Sequence, residues 1–220
     1  SFFFGIVSIL SFFNILYSYY FNLYLNLDTY YFTLLASSTL FITFFKFGKY
    51  DIKSNIFQRI LTIFLGYILI PLVLSIPFYF SIYNLTFSNS FFEAISGFTS
   101  TGFTVFENIK LIDQSLLIWR STTQWIGGLY YLFSIIYLID IYDDSFKKTL
   151  TNFISFNSSE ILKQATKIFI LYSSLTVLIF IILNIFSIRT FNSLNLSLTI
   201  ISSGGFLPVN ELSAIIKENA

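Results

Sequence analysis

The sequence predicts an all-α membrane protein, and three observations carry that prediction. Of its 220 residues 55% are hydrophobic and 21% aromatic, only 10% are charged, and the charges cluster so as to leave long uncharged runs. An ordinary soluble domain carries roughly 25% charged residues. The mean hydropathy of +0.78 agrees. Twelve Lys and Arg against eleven Asp and Glu give a net charge of +1, which leaves no basic excess for a nucleic-acid backbone, so no DNA or RNA partner is expected. The chain has no Cys and no His, which removes thiol nucleophiles, imidazole bases and most zinc ligand sets. An enzyme is not expected. The chain begins at Ser1 and contains no Met, and it is expected to be a fragment of a longer protein.

A hydrocarbon core of about 30 Å takes about 20 apolar helical residues and excludes ions between them, so gaps between charges mark candidate spans. No charge precedes Asp28, and a second run covers residues 29–45, ending at Lys46. Joined by a polar turn at residues 22–28, these predict a helical hairpin. The N-terminal run lacks a basic leader and a small-residue cleavage pattern, so it reads as a retained helix. A third gap, residues 60–92, is roughly 50 Å long as one helix and must break internally. Pro71, Pro77 and the Asn, Ser and Thr of residues 81–90 place a span at 60–80 with a turn after it. Residues 121–139 and 168–188 supply a fourth and a fifth span. Eight of the twelve basic residues, Lys46, Lys49, Lys53, Arg59, Lys147, Lys148, Lys163 and Lys167, lie in two connections. Placing both in the cytoplasm puts the N-terminus inside and residues 81–115 outside.

Residues 81–115 and 190–210 are poor in charge yet unlike lipid-facing helices. Eleven of the 21 residues in the second stretch are Ser, Thr, Asn or Gly. Irregular backbone survives at membrane depth only where protein buries it or water fills a cavity, which predicts re-entrant segments. An internal repeat at an offset of 103 residues aligns Asn89-Ser90 with Asn192-Ser193, Ser100 with Ser203, and Gly102-Phe103 with Gly205-Phe206. The chain thus reads as residues 1–55, a helix pair; 56–145, one unit of helix, re-entrant helix, loop and helix; and 146–220, the first part of a second unit. Each Asn-Ser pair is placed at a helix N-cap, Glu93 in the first turn as a capping acid, and the short helices end near Ser96 and Thr199. Their partly negative ends point at the loops that follow, which suits a cation.

Those loops are Thr99-Ser100-Thr101-Gly102-Phe103-Thr104 and Ser202-Ser203-Gly204-Gly205-Phe206. Small residues and glycine let successive carbonyls face one axis and replace an ion's hydration shell without side-chain charge. The plainer reading, turn composition between hydrophobic segments, is weakened by the repetition. An anion pore would present Arg or Lys there, and neither loop has one.

At Phe91-Phe92-Glu93-Ala94-Ile95-Ser96-Gly97-Phe98-Thr99-Ser100-Thr101-Gly102-Phe103-Thr104 the sequence resembles the first pore helix and filter of the Trk/Ktr/HKT superfamily of potassium and sodium translocating subunits, closest to bacterial TrkH. Trp119-Arg120-Ser121-Thr122-Thr123-Gln124-Trp125-Ile126-Gly127-Gly128 is similar to the family stretch that opens the next helix, and Ser203-Gly204-Gly205-Phe206 to its second filter. The resemblance implies a potassium-channel-like fold of helix–pore loop–helix repeats, here truncated in the second repeat, with four loops per polypeptide forming the pore. It implies potassium uptake across the bacterial cytoplasmic membrane, with K+ as the transported ion and no organic cofactor. Ion-coordinating carbonyls would belong to Ser100, Thr101, Gly102, Ser203, Gly204 and Gly205, flanked by Thr99, Phe103, Ser202 and Phe206. A homodimer and a cytosolic nucleotide-binding regulatory subunit of the TrkA type are implied partners. The chain departs from the family pattern at Ser100, usually Thr, and at Asn192 and Leu196, often Asp and His. A non-transporting scaffold with the same helices is the competing function.

The remaining polar residues have bland readings. Arg120 is expected to anchor at the membrane interface, with its aliphatic stem in lipid, in preference to an electrostatic role beside the pore region, and Glu93 to cap its helix in preference to relaying protons. Trp119 and Trp125 read as interface or packing aromatics, and Gly127 and Gly128 as points of close helix approach. Asp140, Asp143 and Asp144, beside Lys147 and Lys148, read as a solvated cytoplasmic helix end.

Overall fold

The computed structural model describes residues 1–48, 56–142, 161–210 and 215. Lys49, Lys53, Asp143, Asp144, Lys147 and Lys148 lie outside them, as does the connection between the two repeats. Eight α-helices and one 3-10 turn make up the described residues, and no strand occurs among them: α1 (Phe2–Tyr20), α2 (Leu27–Phe47), α3 (Ile56–Leu74), α4 (Ile76–Tyr79), α5 (Phe87–Phe98), the 3-10 turn Ile109–Leu111, α6 (Gln114–Tyr142), α7 (Ile161–Ile185) and α8 (Thr190–Ile201).

Helices α1 and α2 form the expected hairpin and pack along one another. Among the described residues three stretches are long and apolar enough to cross a membrane: Phe2–Tyr20, Phe57–Tyr79 and Ala165–Ile185. Helices α2 and α6 have 21 and 29 residues, long enough to span, but carry more polar side chains. In α2 these are hydroxyls satisfied within the helix, Thr33 donating to Thr29 O at 2.8 Å and Ser37 to Thr33 O at 2.7 Å, which removes the cost of burying them. The third span is interrupted as its prolines require. Helix α3 ends at Leu74, three residues after Pro71, and α4 restarts with Pro77 in its first turn, where a missing N–H is harmless.

Helix α6 is the centre of the bundle and touches α1, α3, α5, α7 and α8. Trp119 is fully buried and donates to Leu74 O at 3.0 Å, while Trp125 donates to Thr176 Oγ1 at 2.9 Å, so both are packing aromatics that pin α6 to its neighbours. The hairpin is fastened to the start of α6 by Asn14 Nδ2 donating to Ser115 O at 3.1 Å and by the Tyr30 and Ser115 hydroxyls 2.9 Å apart. Helix α7 leaves Ile170, Leu171, Val177, Leu178 and Ile185 exposed, an apolar face suited to lipid.

The 103-residue repeat is reproduced in the backbone. Helices α5 and α8 have 12 residues each and start 103 positions apart. Each follows a turn containing a left-handed residue, Asn84 (φ 50°) and Ser187 (φ 62°). The N-caps of both helices lie three residues before the expected ones. The N-cap of α5 is Thr86, whose side chain accepts from Asn89 N at 3.3 Å, and that of α8 is Arg189, with no side-chain cap. Asn89-Ser90 and Asn192-Ser193 therefore lie inside the first turn, where Ser90 Oγ donates to Thr86 O at 2.9 Å. The helices also run two residues past the expected ends at Ser96 and Thr199.

Candidate functional site

Both short helices end in the same way. Thr101 N donates to Ser96 O at 2.9 Å and Ser100 N to Gly97 O at 2.9 Å; in the second copy Gly204 N donates to Thr199 O at 2.8 Å and Ser203 N to Ile200 O at 3.0 Å. This paired closure needs a left-handed residue just past the helix, and Ser100 (φ 56°) and Ser203 (φ 54°) supply it. A non-glycine residue there costs about 1–3 kcal/mol, a strain the surrounding contacts must hold. The closure takes up the carbonyls of Ser96 and Gly97, and of Thr199 and Ile200, and turns the chain sharply, so that each loop leaves its helix as open backbone.

The two loops meet at their glycines. Gly102 has φ +80°, and a Cβ placed on it would stand 2.6 Å from Gly205 Cα; one on Gly205 would stand 3.2 Å from Gly102 Cα. Only glycine at 102 satisfies both the dihedral and the approach. Thr99, Thr101, Phe103, Ser203 and Gly205 are exposed, Ser100, Gly102 and Gly204 half-buried, and Ser202 and Phe206 buried. Among the described residues, none donates a hydrogen bond to the carbonyls of Ser100, Thr101, Gly102, Ser203, Gly204 or Gly205. The structure thus brings the two sets of candidate residues together through Gly102 and Gly205.

Behind the first loop lies a buried ion pair. Arg120 Nε is 2.8 Å from Glu93 Oε1, with the side chains 1% and 0% exposed. Thr104 Oγ1 is 3.0 Å from each Glu93 carboxylate oxygen, Val105 N donates to Oε2 at 2.9 Å, and Arg120 Nη2 donates to Thr104 Oγ1 at 3.1 Å. Glu93 is therefore not a helix cap: it accepts from the backbone and side chain that follow the loop. Arg120 is not an interface anchor either. Its guanidinium also lies over the Phe206 ring, 4.2 Å from the centroid, so one side chain braces both loops. Burial of Arg120 is tolerable because Glu93 and Thr104 take up its charge and donors.

Behind the second loop the position equivalent to Glu93 is Leu196, which accepts nothing. Gln124, one turn after Arg120 on α6, serves instead. Phe206 N donates to Gln124 Oε1 at 3.3 Å. The amide orientation that satisfies all of its neighbours, assigned from those partners, has the oxygen accepting from Gly205 N at 2.9 Å and Phe206 N at 3.0 Å and the nitrogen donating to Thr199 Oγ1 at 3.1 Å. A Cβ on Gly204 would stand 2.4 Å from the Gln124 side chain. Sequence reasoning passed over Gln124. The available signal was a polar residue four positions after Arg120, on the same helical face, in a run otherwise read as lipid-spanning. Gly127 and Gly128 do permit close approach: a Cβ on Gly127 would stand 1.8 Å from Phe98 O, and one on Gly128 would stand 2.9 Å from Ser202 Cβ.

The family model of TrkH, described as a cation transport protein, matches residues 62–211, which include both loops and the helix between them. The chain belongs to the TrkH family. An uncharacterized cation transporter of Methanocaldococcus jannaschii is 28% identical over 168 residues, 69% of this chain and 34% of that protein. The Trk system potassium uptake protein TrkH of Escherichia coli is 34% identical over 82 residues, 37% of this chain and 17% of that one. The crystal structure of the potassium transporter TrkH from Vibrio parahaemolyticus superposes with a TM-score of 0.68 at 19% identity, covering 93% of this chain and 42% of that one. The TrkH fold therefore extends over nearly all of the chain, including the N-terminal hairpin that the family model does not reach. The chain spans well under half the length of these relatives.

Proposed function

We propose that the protein takes up potassium across the cytoplasmic membrane through a pore whose filter is built from loop carbonyls, the two loops here being the first two of four. The observation that carries this is the backbone contact between two identically closed loops at Gly102 and Gly205, with carbonyls that accept no hydrogen bond from described residues. Carbonyl oxygens without donors are the groups that replace the hydration shell of a dehydrated K+. The ion contacts fall on Ser100, Thr101, Gly102, Ser203, Gly204 and Gly205, with Thr99, Phe103, Ser202 and Phe206 shaping the approach. Partial negative charge at the ends of α5 and α8 favours a cation beside them. Residues 1–55 form the hairpin, 56–145 the first repeat and 146–220 the start of the second. The N-terminus is cytoplasmic, and the full protein forms a homodimer regulated by a cytosolic nucleotide-binding subunit of the TrkA type.

Gly102→Asp in the full-length protein tests the reading, in cells lacking their own potassium uptake. Adding a side chain at φ +80° against Gly205 is expected to lower potassium-selective uptake about tenfold or more at an unchanged membrane level. Unchanged uptake and selectivity would sink the proposal and leave the scaffold function standing.

A further inference from the structure

We propose that Gln124 is a positioning residue for ion selectivity: a side chain of the first repeat that sets the carbonyl direction of the second repeat's loop. This rests on the carbonyl-filter reading above. In a trans peptide the C=O and the following N–H point in opposite directions. No cis peptide bond occurs among the described residues. In the amide orientation assigned from its partners, Gln124 Oε1 accepts from the N–H groups of Gly205 and Phe206 on the α6 side at 2.9 and 3.0 Å. The carbonyls paired with them across the peptide planes, those of Gly204 and Gly205, are thereby aimed away from α6.

Two features show a built clamp rather than incidental contact. Gln124 is completely buried, and its amide is oriented by a third bond, donated to Thr199 Oγ1 in the last turn of α8. The loop also carries glycine at 204, where any Cβ would displace the Gln124 carboxamide. Gly204 lacks a side chain to hold its own dihedrals, so the direction of its peptide depends on an external acceptor. In the first repeat the acceptor comes from the loop's own helix and acts further along the chain, Glu93 accepting from Val105 N, while Gly102 N, the equivalent of Gly205 N, turns back to Ser96 O at 3.4 Å. The second loop has Leu196 at the position of Glu93 and borrows its acceptor from α6. The selectivity of the two loops is therefore coupled through a single helix, with Arg120 and Gln124 one turn apart.

Three variants of the full-length protein test this, measured as the ratio of potassium to sodium uptake in cells lacking other potassium uptake, at matched membrane levels. Gln124→Leu is expected to lower the ratio about tenfold, since the N–H groups of Gly205 and of buried Phe206 lose their acceptor. Gln124→Glu keeps the acceptor for both N–H groups and can take the Thr199 hydroxyl as donor; it is expected to retain most of the ratio. Thr199→Val, nearly isosteric, removes only the orienting partner and is expected to lower the ratio about threefold. A wild-type ratio in Gln124→Leu, or Gln124→Glu no better than Gln124→Leu, overturns the inference. If Gln124→Leu does not accumulate, Thr199→Val carries the test, and an unchanged ratio there overturns it. A wild-type protein that moves no alkali cation overturns the potassium reading and this inference with it, whereas sensitivity to Gly102→Asp with indifference to Gln124 overturns this inference alone.

Discussion

Glu93 and Arg120 are 27 positions apart, on α5 and α6, and each would be a severe liability without the other. Removing one partner of a buried pair leaves an uncompensated charge and costs about 3–5 kcal/mol, while neutralising both together costs much less. Glu93→Gln or Arg120→Gln alone should therefore lower the thermal unfolding midpoint of the detergent-purified protein sharply. The double variant should be more stable than the sum of the two losses predicts, and strict additivity would show that the pair is not coupled. Each residue stood out in the sequence as a charge in an apolar setting. The favoured roles, helix cap and interface anchor, were wrong because each used only neighbours along the chain, while the less favoured electrostatic role of Arg120 beside the pore region lies nearer to what is found. The contact that decides the role comes from another helix.

The helices themselves were largely legible, and the errors at their ends have physical causes. The fourth span was expected to begin after Arg120, because lipid excludes an unpaired guanidinium. Helix α6 instead begins at Gln114 and runs through Arg120, which faces Glu93 rather than lipid. The short helices were expected to be capped by Asn-Ser pairs, yet the N-caps of both lie three residues earlier, each just after a turn with a left-handed residue. Glycine positions make a sharper prediction at this scale. A Cβ on Gly127 would collide with the Phe98 carbonyl at 1.8 Å, backbone that cannot yield without moving α5; one on Gly5 would meet only the Phe41 ring at 3.2 Å. Gly127→Ala should destabilise by about 1–3 kcal/mol, and Gly5→Ala by much less. Comparing their unfolding midpoints checks this, and equal effects would contradict the packing of α5 on α6.

For the whole molecule, the proposed orientation is open to a direct check, helped by the natural absence of cysteine. With a cytoplasmic N-terminus, the turn between α1 and α2 lies outside and the end of α2 inside. Leu25→Cys, at an exposed position, should react with a membrane-impermeant maleimide in intact cells, and Lys46→Cys, also exposed on the protein, only after the cells are permeabilised. The reverse pattern would invert the topology. Sequence alone determined the membrane class, the hairpin, the 103-residue repeat and the two glycine loops, because hydropathy, charge gaps and repetition are properties of the chain read in order. Only the tertiary structure decided that the loops touch at Gly102 and Gly205, that Glu93 and Arg120 neutralise one another, and that Gln124 of one repeat holds the loop of the next. Those facts depend on which side chains face inward across a helix packing, and no pattern along a single strand of residues records the partner on the other side.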